Sequence, residues 1–125
     1  MIFNAYAVEE IENKETLLRC TKLWENDASN AAFGAQTITL PVVEGVIFYI
    51  VEYRLDCSNS SSYKSDFVFP KHHTALGSIY YSHDYGKWIE LSRNVTIADT
   101  SAVFSADSRE DGSFVVPTAI YAFHL

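Results

Sequence analysis

The chain has 125 residues, 48% of them hydrophobic and 20% charged, a balance that argues against intrinsic disorder and suits one domain, 1–125, around one core. Sixteen acidic residues against nine basic ones give a formal charge of −7, which argues against nucleic-acid binding and against electrostatic capture of anionic lipids or wall polymers, because each needs a basic footprint. The longest apolar run, Gly45 to Val51, is too short to cross a bilayer, and no basic n-region with an apolar h-region opens the chain, so neither membrane insertion nor a signal peptide is expected.

In chain order, residues 1–16 read as an N-terminal strand or linker arm, and only Glu9 to Leu18 could form a short helix. Leu17 to Trp24 reads better as a strand. Gln36 to Leu40 alternates, with Ile38 and Leu40 on one side and Thr37 and Thr39 on the other. Val46 to Leu55 is a longer strand: Ile47, Tyr49, Val51, Tyr53 and Leu55 share one face, while the other starts apolar at Val46, Phe48 and Ile50 and ends charged at Glu52 and Arg54. The Ser-rich segment Cys57 to Ser65 reads as a mobile loop. Leu76 to Ser82 and Lys87 to Leu91 flank His83-Asp84-Tyr85-Gly86 as a hairpin, with Gly86 suited to a positive φ. Arg93 to Ile97 points Val95 and Ile97 inward. Ala102 to Ser105 is a short strand, and Arg109 to Gly112 is a turn. The last strand is apolar on both faces, so it belongs in the middle of a sheet or between subunits. About eight short strands separated by turns predict an all-β fold, an antiparallel β-sandwich with the jelly roll as one form of it.

Few residues carry a chemical signal. Cys20 and Cys57 are too few for a disulfide framework and read as two buried thiols of a protein made in a reducing cytosol. His72-His73 would point to opposite faces of a strand and lacks further ligands at a workable spacing, so it reads as a polar loop after Pro70, and no metal site is expected. Asp107, Glu110 and Asp111 around Gly112 could in principle offer oxygens to Ca²⁺, but their spacing is not that of an EF-hand and they read as a solvated turn. There is no Gly-x-Ser-x-Gly elbow, no Cys nucleophile motif and no Gly-rich phosphate loop, so neither catalytic residues nor a cofactor is expected. Tyr80, Tyr81, Tyr85 and Trp88 cluster around the hairpin. An exposed ring can stack on the C–H face of a sugar, so Tyr81, His83, Asp84, Tyr85 and Trp88 are the candidate ligand-binding residues; the same rings could equally be cross-strand pairs and core.

Four segments together resemble a small domain found at the C-terminal end of tail-fibre and baseplate-type proteins from phages and prophages of Gram-positive bacteria. They are Leu23-Trp24-Glu25-Asn26, Phe33-Gly34-Ala35-Gln36-Thr37-Ile38-Thr39-Leu40, Arg93-Asn94-Val95-Thr96-Ile97 with Val103-Phe104-Ser105, and Val116-Pro117-Thr118-Ala119-Ile120-Tyr121-Ala122, over residues 17–125. The second is similar to the family's Phe-x-Ala-Gln-Thr strand, and the last to a terminal Ile-Pro-x-x-Ile-Tyr-Gly segment in which Ala122 replaces the common Gly. The resemblance implies a β-sandwich head on a virion appendage, made in the bacterial host cytoplasm, usually trimeric and recognising the host surface. It implies a core containing Phe33, Ile38, Val95, Phe104 and Tyr121, and it carries over no binding residues. The expectation is therefore a receptor-binding head that contacts its own copies, other virion proteins and a host-surface carbohydrate. An assembly or decoration module without glycan affinity is the alternative, and a glycan-acting enzyme a third reading.

Overall fold

The computed structural model describes residues 17–57, 60–109 and 111–125, and every regular element among them is a strand. These are β1 (Arg19–Glu25), β2 (Gln36–Thr39), β3 (Val46–Cys57), β4 (Ser60–Val68), β5 (His73–Ser82), β6 (Lys87–Ala98), β7 (Ser101–Phe104) and β8 (Val115–His124). They form two antiparallel four-stranded sheets, ordered β1-β8-β3-β4 and β2-β7-β6-β5. The fold is thus the expected all-β sandwich of eight strands. The arm or strand expected over residues 1–16 lies outside the described residues, as does most of the candidate helix; Leu17 and Leu18 belong to no regular element.

The topology shares β1-β8-β3 and the β2-β7 pair with a jelly roll. A jelly roll, however, sends its fourth strand to the second sheet and its sixth to the first. Here β4 closes on β3 across a two-residue connection and β6 on β5 across a four-residue one. Connections that short favour pairing within one sheet over a crossing of the ~10 Å between sheets.

The last strand is central, as its composition demanded: β8 pairs with β1 on one side and β3 on the other, and Val115 to Ile120 are all buried. It carries Pro117, which can donate no ladder hydrogen bond. A register shift solves this: Tyr53 pairs with Pro117 and Glu52 with Ala119, leaving Thr118 to donate its hydroxyl to the Glu52 carbonyl at 3.0 Å. The Leu-Trp-Glu-Asn segment lies alongside. Trp24 pairs with Ile120, and the Asn26 side chain donates to the Pro117 carbonyl at 2.9 Å. Two segments nearly a chain length apart are therefore neighbours.

The core is packed from the inward faces of both sheets: Tyr49, Val51, Tyr53 and Leu55 from β3, Leu91, Val95 and Ile97 from β6, with Leu76, Phe104 and Ile120. Trp24, Phe33 and Phe104 form an aromatic cluster with ring centroids 5.4–6.2 Å apart. Phe33, Val95 and Phe104 sit in the core as expected and Ile38 packs against it. Tyr121 does not: it is half-buried on the outer face of its sheet, under the Lys22 ammonium.

Four further expectations are corrected. The Ser-rich stretch is not a loop from Ser60 onward; it is edge strand β4, in register with β3 from Cys57↔Ser60 to Tyr49↔Val68. Lys87 to Leu91 and Arg93 to Ile97 are one continuous strand. Cys20 is exposed, because β1 is an edge strand and Cys20 lies on its outer side opposite Phe123. The acidic turn is not simply solvated. Asp107 is buried and accepts from the N–H groups of Arg109, Phe114 and Val115, while Asp111 accepts from the Ser113 N–H and hydroxyl.

Buried beside Asp107 lies Arg93. Its guanidinium donates to the carbonyls of Val115 (2.8 Å), Ser105 (2.7 Å) and Phe33 (2.6 Å), approaches Asp107 at 3.6 Å and covers the Phe33 ring. One side chain thus ties β6 to the start of β8 and to the segments flanking β2 and β7. Arg54 is also buried, at the end of β3 expected to emerge into water. The Asn26–Asn30 turn folds over it, so that it donates to the Ser29 carbonyl and pairs with Asp56.

Candidate functional site

The β5–β6 hairpin places the candidate residues. Its register sets Tyr81 directly opposite Trp88 and Ile79 opposite Glu90, and period-two alternation turns all four outward. Tyr80 and Ile89, one residue away, pack against the core. Of the two adjacent tyrosines, one faces out and one in, as alternation requires.

The turn is closed by the Gly86 N–H donating to the Ser82 carbonyl at 2.8 Å and by the Tyr85 N–H donating to the Ser82 hydroxyl at 3.3 Å. Gly86 has φ 64°, the left-handed conformation expected of it. The chain reverses within four residues and lifts Tyr85, 74% exposed, to the tip.

Tyr81 and Trp88 meet edge-to-face, centroids 5.5 Å apart at 77°, and His83 also meets Tyr81 edge-to-face at 5.1 Å and 74°. Structure thus gathers Tyr81, His83 and Trp88 into one group. Tyr85 and Asp84 share the turn but make no ring contact or side-chain hydrogen bond with it among the described residues. Trp88 remains 68% exposed and Ile79 63%. A ring this exposed offers a flat apolar surface whose hydration is lost when a ligand face covers it, with edge-to-face neighbours fixing its tilt.

Two neighbours stand outside the candidate set drawn from the sequence, which offers Glu90 only as a carboxylate it cannot place. Ile79 extends the apolar ledge, and Glu90 supplies a carboxylate beside it. A shallow hollow of about 180 Å³ adjoins them, lined by Gly77, Ile79, Glu90 and Ser92 among others. Gly77, which lines it, has φ 130° and sits so close to the paired strand that a Cβ would lie 1.9 Å from the Leu91 carbonyl oxygen. The signal was available in the hairpin register, which pairs Ile79 with Glu90 once the four-residue turn is fixed.

A second surface lies on the outer face of the β1-β8-β3-β4 sheet. Phe48 stacks on Phe123 at 4.9 Å and meets Phe67 edge-to-face at 5.2 Å, with Ile50 and Tyr121 alongside. Phe67 is 62% exposed. Exposed apolar patches of this kind mark contact surfaces.

The other expected positions are scattered. His72 and His73 are exposed near the start of β5, and the His73 ring lies 3.5 Å from the Thr96 hydroxyl. His124, on β8, bonds Thr21. Among the described residues no group of three His, Cys, Asp or Glu side chains is close enough to hold a metal ion, and no helix is long and apolar enough to cross a membrane. Compared with known proteins, the chain matches no family model, no curated protein and no solved structure.

Proposed function

We propose that this protein is a phage or prophage virion component, the head domain of a tail fibre or receptor-binding appendage, and that it recognises a host-surface carbohydrate without covalent chemistry. The observation that carries this reading is the Tyr81–Trp88 pair with His83, held by ladder register on a hairpin yet left open to solvent. A sugar ring would stack its C–H face on Trp88, while Asp84, His83 and Glu90 would hydrogen-bond its hydroxyls. An acidic protein of net charge −7 favours a neutral glycan over an anionic one. The order of the four segments along the chain, resembling phage appendage heads, supports the virion assignment.

Self-association belongs to the same reading. We assign contacts between copies, a trimer being favoured, to the Phe48–Phe67–Phe123 face. Its apolar centre carries few unpaired charges, the composition that interface cores favour. The same face supports the second reading, an assembly module that binds other virion proteins and no glycan.

The test is adhesion of the labelled protein to candidate Gram-positive cells. Trp88→Ala and Tyr85→Ala should abolish binding and leave the fold intact, since both side chains are exposed. Unchanged adhesion by both variants removes the hairpin site. Absence of adhesion and of glycan affinity in the unaltered protein moves the assignment to the assembly module.

A further inference from the structure

At the end of the sandwich away from the β3–β4 tip lies an open recess of about 560 Å³, and Val42, Glu44, Asp99 and Thr100 among its lining residues are exposed. It is lined by Val42, Val43 and Val46, by Pro70, by the Tyr49 ring and by the polar groups of Glu44, Asp99 and Thr100. Three connections build it: the β2–β3 loop, the β4–β5 turn and the tight β6–β7 turn. The Thr100 carbonyl accepts from the Leu40 N–H at 2.8 Å, which anchors that last turn to the β2–β3 loop.

Tyr49 is the informative residue. It is only 4% exposed, and no described residue hydrogen-bonds its hydroxyl. Every fully enclosed side-chain nitrogen and oxygen of the described chain has a partner, so this hydroxyl opens on the recess it lines. The phenol body is buried, while its hydroxyl is reached from the recess and is free to exchange water for a ligand group. The two carboxylates beside it form no salt bridge among the described residues. Lys71, next to Pro70, is exposed and bridges neither of them. Burial, and after it the Asp99 charge, pushes the Tyr49 phenol above its ordinary value, so it remains a neutral donor and acceptor at working pH.

We infer that this recess is a binding site for an alkylammonium group, a primary amine on an unbranched apolar stem. The stem would lie against Val42, Val43, Val46 and Pro70, and the ammonium would meet the carboxylates of Glu44 and Asp99 while donating to the Tyr49 oxygen. An anion is repelled by the two carboxylates. A neutral alcohol gains the apolar contact and loses the charge-assisted bonds, which are roughly twice as strong as neutral ones. The site is separate from the hairpin surface. Either a free small amine or the lysine side chain of a partner protein supplies this chemistry.

The experiment is a titration of the ¹⁵N-labelled chain, followed through the amides of Val42, Val43, Gly45 and Thr100. The probes are n-pentylammonium, Nα-acetyl-lysine methylamide, n-pentanol and hexanoate. Saturable shifts with either amine, and weaker or none with the alcohol and carboxylate, support the site. Binding of the capped lysine identifies a partner side chain as the source, and binding of pentylammonium alone a free amine. Asp99→Asn should weaken binding about threefold, the scale of one exposed charge pair. Glu44→Gln, in an exposed loop position, gives the same reading should the turn variant fold poorly. No shift with either amine, equal shifts with pentanol, or unchanged affinity in both variants overturns the inference.

Discussion

Truncating Arg93 should be among the most damaging single changes in this protein. Its guanidinium is fully enclosed, donates to three backbone carbonyls and lies 3.6 Å from the equally enclosed Asp107 carboxylate. Removing one partner of a buried pair costs about 3–5 kcal/mol, because the other charge stays buried without compensation. Each carbonyl left without a donor adds about 1 kcal/mol or more. Three N–H groups still support Asp107, so the contributions overlap, and we expect Arg93→Ala to lose about 5 kcal/mol, enough to unfold a domain at the weak end of the usual range. Arg93→Lys keeps the charge but not the three-way fork and should lose about 2 kcal/mol. Urea unfolding followed by tryptophan fluorescence reads this, because Trp24 packs on Phe33 and Phe104 while Trp88 is already exposed. A double-mutant cycle with Asp107→Asn should return a coupling above about 1 kcal/mol. Losses under about 1 kcal/mol for Arg93→Ala, at unchanged denaturant slope, would refute the keystone role.

Tyr53 donates to Asp66 at 2.8 Å and accepts from the Gly77 N–H at 3.1 Å, and burial first, then the Asp66 hydrogen bond, pushes its phenol up to about 12. Its folded-state value thus exceeds the unfolded one, so the contribution is intact below about pH 10 and drains as pH rises toward 12, about 3 kcal/mol in all. Urea midpoints across this range should fall steeply in the unaltered protein and less in Tyr53→Phe; parallel curves would contradict it. Deleting Ile120 to Leu125 removes the C-terminal half of β8, most of its pairing with both β1 and β3, and should abolish the folded circular dichroism signal, whereas a cooperative melt in the truncated chain would make that half of β8 peripheral. Gly77→Ala forces a Cβ to 1.9 Å from the Leu91 carbonyl oxygen and should destabilise by several times the ~1 kcal/mol of an ordinary glycine substitution; a smaller change in urea midpoint would show that the strand shifts freely. Light scattering should find a trimer, and Phe67→Ser, at a position 62% exposed, should lower the mass without unfolding; a monomeric unaltered protein removes the role assigned to that face.

Strands with one apolar face were legible from alternation alone, and β8 declared its central place by being apolar on both. β4 was not legible, because an edge strand needs a partner on one side only. Ser60 to Ser65 carry no periodic apolar signal, and their placement comes from the ladder with β3. Charge misled at Arg93 and Arg54. The alternation Leu91, Arg93, Val95, Ile97 puts Arg93 inward, yet a charge at an inward position reads as an error until the carbonyls and carboxylate that receive it are known. Of the candidate site, the aromatic cluster and its turn were visible in sequence. Glu90, Ile79 and the hollow at Gly77 required the register, and the Tyr49 recess required three loops distant in sequence to converge.

The central claim is glycan recognition by the hairpin, and the most direct test is an array of bacterial surface glycans probed in parallel with the unaltered protein and Trp88→Ala. The account predicts that the unaltered protein binds at least one neutral glycan and that Trp88→Ala, folded and of equal mass, loses it. Binding to none, or equal binding by both, would contradict it.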